Sequence, residues 1–320
     1  MSRHPRSVRF RRLALATLLG VAAAPARDVG ADTEVPLPLT GRLSLKADGK
    51  RYVVDGKQVL AAGALIKLEE GVRVVGKNGA SLEVKGGLRA LGGDDGKVTI
   101  DGIDFSPTVA PENGFHLNGV TLSGCTFVHP EGAAFEGELT IENTMWSGAF
   151  DVRIARGFAR IMSTTLPSGS VTCVADKGRA PEVALRGCKL SSFTLKGASA
   201  ATLRATTVGG TFTAEHFTDL LVDGCDVSGG LVFQQGPEGS FSKLVLTKCN
   251  LEGGATVTLS RPAGPKTPME KVRLDKFWFG RADAKPDVTD AAIGERITDG
   301  ADDPAVSVKA YWSSPQERRR

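Results

Sequence analysis

One eight-residue pattern recurs nine times between Val98 and Phe279, and it restricts the fold more than any other feature of the chain. It reads VTIDGIDF from Val98, VTLSGCTF from Val120, LTIENTMW from Leu139 and ARIMSTTL from Ala159. It continues as VALRGCKL from Val183, ATLRATTV from Ala201, LLVDGCDV from Leu220, LVLTKCNL from Leu244 and VRLDKFWF from Val272. Successive starts are 18 to 28 residues apart. Positions one, three, six and eight are apolar or small. Positions two, four, five and seven are mostly polar, charged or glycine.

Alternating apolar residues make a short strand with one buried face, and the polar or glycine pair that follows bends the chain. A second apolar stretch comes about ten residues after most starts, for example Phe150–Val152, Val171–Val174, Phe193–Leu195 and Leu231–Phe233. No 3.6-residue period accompanies them. A unit of two or three short strands cannot bury its inner face alone, but stacked neighbours share one core. The expected fold is therefore all-β: a parallel β-helix of about 10 to 11 coils with short capping segments. Many short strands also suit a β-sandwich, whose hairpins would not keep the same inward residue types at fixed offsets. The stacked arrangement predicts one column through Ile100, Leu122, Ile141, Ile161, Leu185, Leu203, Val222, Leu246 and Leu274.

The flanks of the repeat carry a family likeness. Residues 64–92 read ALIKLEEGVRVVGKNGASLEVKGGLRALG, and a closing segment holds Phe277-Trp278-Phe279-Gly280, Asp302-Asp303-Pro304 and Ser314-Pro315. In this order, over roughly residues 60 to 315, the chain resembles secreted right-handed parallel β-helix proteins of the pectin-lyase-like superfold. The resemblance implies that any catalytic residues project outward from one sheet over several coils. The motifs N-T-D, paired Asp, G-H-G and R-I-K of hydrolases of that superfold do not stand here in order. Asn143-Thr144-Met145 lacks the acid.

Before the repeat, Arg3, Arg6, Arg9, Arg11 and Arg12 precede an apolar stretch from Leu13 to Ala24, followed by Ala24-Pro25-Ala26 and Val29-Gly30-Ala31. A basic segment, a short apolar segment and small residues read as a secretory signal peptide, and the apolar stretch is short for a membrane span. An uncleaved anchor is the alternative, and Arg11-Arg12 leaves Sec and twin-arginine export both open. The expected division is a signal peptide and leader over 1–31, an N-terminal cap and first strand over 32–60, the β-helix over 61–280 and a C-terminal capping segment with a mobile tail over 281–320. A short helix over Val288–Ile297 would help to close the last coil, and Tyr52–Leu60 the first. Six of the 40 basic residues and one of the 36 acidic residues precede Ala31. The remainder is almost neutral, so no electrostatic reason points to nucleic acid as a partner. The expected location is outside the cytoplasm of a bacterium, in the periplasm, on the cell surface or in the medium, with no integral membrane segment after signal removal.

Cys125, Cys188, Cys225 and Cys249 share the sixth position of the repeat with Thr144, Thr164 and Thr206, which marks a small, buried, slightly polar site. A bridge between Cys225 and Cys249 on neighbouring coils is the alternative, although parallel Cβ vectors oppose it. Cys173 lies on another strand. No Cys or His spacing suits a metal, and no cofactor is expected. Of the outward positions, Arg186, Lys189, Arg204, Asp223 and Asp226 form a mixed-charge group on three coils. Such a group could hold an acidic sugar, with a lysine as base; it also fits a solvated face of alternating charge. His116, His129 and His216 read as solvated turn histidines. Two functions follow: a non-catalytic exported β-helix with a structural or surface-binding role, whose partner is a polysaccharide or cell-surface component, or a lyase or hydrolase of acidic glycans using the Arg186–Asp226 face.

Overall fold

The computed structural model describes residues 33–93, 96–107, 114–128, 134–174, 181–198, 200–234, 243–251, 255–260, 272–275, 297–299 and 306–308. These residues lie in one compact unit, Thr33–Arg320. The chain is a parallel β-solenoid: every strand pairing runs parallel, and the described residues contain no helix. Three ladders recur in a fixed order, here named A, C and B in the direction of the chain. Within one turn, for example, Lys189–Lys196 supplies both A and C, and Ala200–Arg204 supplies B.

Register along ladder B joins Leu45, Leu68, Ala90, Leu117, Ile141, Ile161, Leu185, Leu203, Val222, Leu246, Leu274 and Val308 in one twelve-rung column. The column predicted from the repeat is correct from Ile141 to Leu274, but its first two members belong elsewhere. Ile100 pairs with Leu122 on ladder A, whose earlier rungs are Val35, Tyr52 and Val74, and Leu122 pairs next with Trp146. The position before Ile141 is Leu117 instead. The cause is visible in residues 115–127, where two overlapping copies of the pattern share Val120-Thr121-Leu122. FHLNGVTL from Phe115 turns the corner from B to A, and VTLSGCTF turns the next corner, from A to C. Both have the required apolar positions, and only pairing with neighbouring coils separates them.

Stacked rungs also begin before residue 61. Thr33–Pro36, Arg42–Leu45 and Lys50–Leu60, in the stretch read as cap and first strand, are already in register with later strands. At the other end, Ile297 opens a strand, Ile297–Asp299, paired with Val257–Leu259, and is not helical. The rest of the expected short helix, Val288 to Arg296, lies outside the described residues, as do the leader and the terminal tail.

The fifth position of the repeat explains the bend. Gly102, Gly124, Asn143, Ser163, Gly187, Ala205, Gly224 and Lys248 all have φ between 46° and 64°. In this left-handed conformation, the backbone N–H of Asn143, Ser163, Gly187, Ala205 and Gly224 donates to the carbonyl of the fourth position one coil on, at 2.8–3.0 Å. The corner therefore contributes to the ladder. A left-handed Cβ costs roughly 1–2 kcal/mol, part of which glycine gives back as unfolded-chain entropy. Ala205→Gly is accordingly expected to raise stability by about 0.5–1 kcal/mol. A rise in the urea midpoint checks this, against a fall for Ala214→Gly within a strand.

Inside, large rings fill the tube. Trp146 stacks on Phe127 at 5.1 Å and meets Phe150 edge-on at the same distance. Along ladder C, Phe150, Gly169, Phe193 and Phe212 are successive rungs. The rings of Phe150 and Phe193, two coils apart, stand 6.5 Å from each other across the side-chain gap left by Gly169. A Cβ on Gly169 would come 2.5 Å from the Phe150 carbonyl oxygen.

Candidate functional site

The sixth position sits directly inside the corner that joins B to A, and at Cys125 inside the corner from A to C. The hydroxyls of Thr144, Thr164 and Thr206 donate to the fourth-position carbonyl at 2.7–2.9 Å. The thiols of Cys125, Cys188, Cys225 and Cys249 make the same contact at 3.3–3.6 Å. Cys and Thr interchange here because both are small donors. All five cysteines are free and buried. Burial pushes the thiol of Cys125 up to about 11 and that of Cys173 up to about 12, and it also raises Cys188 and Cys249. With so little thiolate, they are poor nucleophiles. A thiol titration is expected to find the native protein unreactive and all five groups reactive in denaturant; fast native labelling of Cys125 or Cys188 would contradict the ladder.

The five charged residues singled out from the sequence flank this corner on two ladders. Arg186, Arg204 and Asp223 are consecutive rungs at the end of B, followed by Thr247. Lys189, Thr207, Asp226 and Asn250 are consecutive rungs at the start of A. Within the group, Arg204 Nε approaches Asp223 Oδ2 at 3.7 Å, and Asn250 Nδ2 donates to Asp226 Oδ1 at 2.8 Å. Arg186 stands beside Arg204, so like charges neighbour each other there. The left-handed corner separates the two rows. The charges are divided between two ladders and engage one another in part.

His116 departs from its reading as a turn histidine. It lies on the strand Phe115–Asn118, between Arg89 and Thr140, with Nε2 3.9 Å from Glu138 Oε2. Partial burial lowers its pKa, and Glu138 opposes the shift. His216 is exposed in a left-handed bend, φ 52°, and His129 lies outside the described residues. Among the described residues, no group of three or more His, Cys, Asp or Glu could hold a metal ion.

A concave feature lies elsewhere, where A turns into C. A shallow cleft of about 340 Å3, open to solvent, is lined by Asp151, Ser168, Ser170, Ser192, Thr194, Thr211 and Thr213, over Phe150, Gly169 and Phe193. Asp151, Ser170, Thr194 and Thr213 are successive rungs of one outward row, and Ser168 and Ser192 belong to a second. Ser170 Oγ donates to Asp151 Oδ1 at 2.8 Å, and the Thr211 N–H reaches Ser192 Oγ at 3.4 Å. Sequence reasoning took these segments only as apolar stretches. Aligning Ser168-Gly-Ser170, Ser192-Phe-Thr194 and Thr211-Phe-Thr213 would have exposed the paired hydroxyl rows.

No described helix is long and apolar enough to cross a membrane. Comparison with models of known protein families, with curated proteins and with solved structures finds no match for this chain.

Proposed function

We propose that this chain is an exported, non-catalytic β-helix of the pectin-lyase-like kind, which serves as a binding scaffold for polysaccharide at the bacterial surface or in the periplasm. The observation that carries this reading is the contrast between two outward features of the described residues. The charged group of Arg186, Lys189, Arg204, Asp223 and Asp226 is split across a corner and partly paired within itself. The concave cleft, by contrast, has six serine and threonine residues among the eleven that line it, and their hydroxyls bind but do not titrate near neutral pH.

Incubation with a panel of uronic-acid polymers tests the non-catalytic half. The expected result is no unsaturated product and no new reducing ends. Turnover abolished by Lys189→Ala or Arg204→Ala would instead establish a lyase or hydrolase on the charged face. Retention of the protein by insoluble cell-wall polysaccharide tests the binding half.

A further inference from the structure

We infer that the cleft beginning at Asp151 is a subsite for a neutral, hydroxyl-rich sugar chain, and that it discriminates against uronic acids. This rests on the reading of the chain as a polysaccharide-binding scaffold and assigns the ligand class and the place. The outward row Asp151, Ser170, Thr194 and Thr213 crosses four consecutive coils. Stacked strands set its members about 4.8 Å apart. Ser168, Ser192 and Thr211 flank the row across the dip over Gly169. A serine or threonine hydroxyl is one donor and two acceptors, as is each sugar hydroxyl, so the two surfaces satisfy each other without fixed charge. The volume, about 340 Å3, is at the lower end of the range for small-molecule sites.

Charge decides the class. The lining contains one ionisable side chain, Asp151, and no Lys, Arg or His. A uronate carboxylate bound here would lie near a like charge with no lining cation to offset it. The cations of the same ladder, Arg153 and Lys196, belong to the next outward row and not to the lining, with Lys196 Nζ 3.2 Å from Glu215 Oε2; Arg186, Lys189 and Arg204 are on the corner between B and A. Asp151 accepts from Ser170, which holds the acceptor in place for a sugar hydroxyl on its other lone pairs.

The test is calorimetric titration of the full chain with short neutral oligosaccharides (gluco-, xylo- and manno-configured) and with oligogalacturonate. It is repeated on the triple variant Ser170→Ala, Thr194→Val, Thr213→Val. Valine replaces threonine in a strand with little change of shape or propensity, and far-ultraviolet circular dichroism checks folding. Thr202→Val, on ladder B, is the control. The expected result is binding of at least one neutral series, weakened about tenfold or more in the triple variant and unchanged in the control. Asp151→Asn should in addition admit oligogalacturonate. Preferential binding of oligogalacturonate by the native chain, or equal neutral-sugar binding by a folded triple variant, overturns the subsite. If no oligosaccharide binds while cell-wall polysaccharide still retains the protein, the cleft assignment fails and the scaffold reading survives; if retention is also absent, both fail.

Discussion

Phe193→Ala is expected to destabilise the solenoid by about 3–5 kcal/mol, the range for removing a buried aromatic side chain from a close-packed core. Phe193 is 1% exposed. Its ring stacks on Phe212 with centroids 6.4 Å apart and planes 3° from parallel, and on its other side meets Phe150 across Gly169. Gly169 supplies no side chain to relax into the space, so the cavity would persist. The effect should also reach beyond one coil. In a stacked repeat each turn is stabilised mainly by its neighbours, so weakening one interface partly uncouples the segments on either side. Urea unfolding followed by circular dichroism should show a lower midpoint and a broader transition for the variant. Phe193→Leu, which refills most of the volume, should recover much of the loss. A cost below about 1 kcal/mol for alanine would mean that the ring column is not closely packed.

Gly229→Val should be still more damaging, through backbone rather than cavity. A Cβ on Gly229 would lie 1.9 Å from the Gly210 carbonyl oxygen and 2.3 Å from its carbonyl carbon. Gly210 is equally restricted, with a Cβ placed 2.2 Å from the Ser191 carbonyl oxygen. Residues Ser191, Gly210 and Gly229 thus form a corner where consecutive coils touch backbone to backbone. Neither neighbour is the far end of a flexible side chain, so relief requires the coils to move apart and lengthens hydrogen bonds such as Gly230 N–H to Gly210 O, now 3.1 Å. A loss of several kcal/mol, or failure to accumulate as folded protein, is the expected outcome. Gly209→Ala is the comparison, because its nearest contact is 3.7 Å. Equal soluble yield and equal urea midpoints for Gly229→Val and the native chain would show that the corner does not stack as described.

The candidate site was only partly legible. Arg186, Lys189, Arg204, Asp223 and Asp226 were found because they occupy fixed offsets in the best-marked repeat, and the structure does bring Arg204 to Asp223. That they divide between two ladders was hidden, because the offset from position four to position seven crosses a left-handed residue that turns the chain from one ladder to the next. His116 was misplaced because FHLNGVTL was not separated from the copy overlapping it. The hydroxyl cleft was missed because its residues alternate with the core residues of a less regular segment.

What the amino-acid order determined by itself is the kind of stacking. A short strand, a bend and a second short strand, repeated with the same inward residue types, can bury their apolar faces only on copies of themselves. It also specified the chemistry of the corner, since Thr144, Thr164 and Thr206 exchange with cysteine at one offset. Tertiary structure alone decided which corner each copy occupies. VTLSGCTF and LTIENTMW are equivalent as local sequences, yet one turns from A to C and the other from B to A. Strand register belongs to the pair and not to the strand, so it is settled by which neighbouring coil gives the complete set of backbone hydrogen bonds and a filled core.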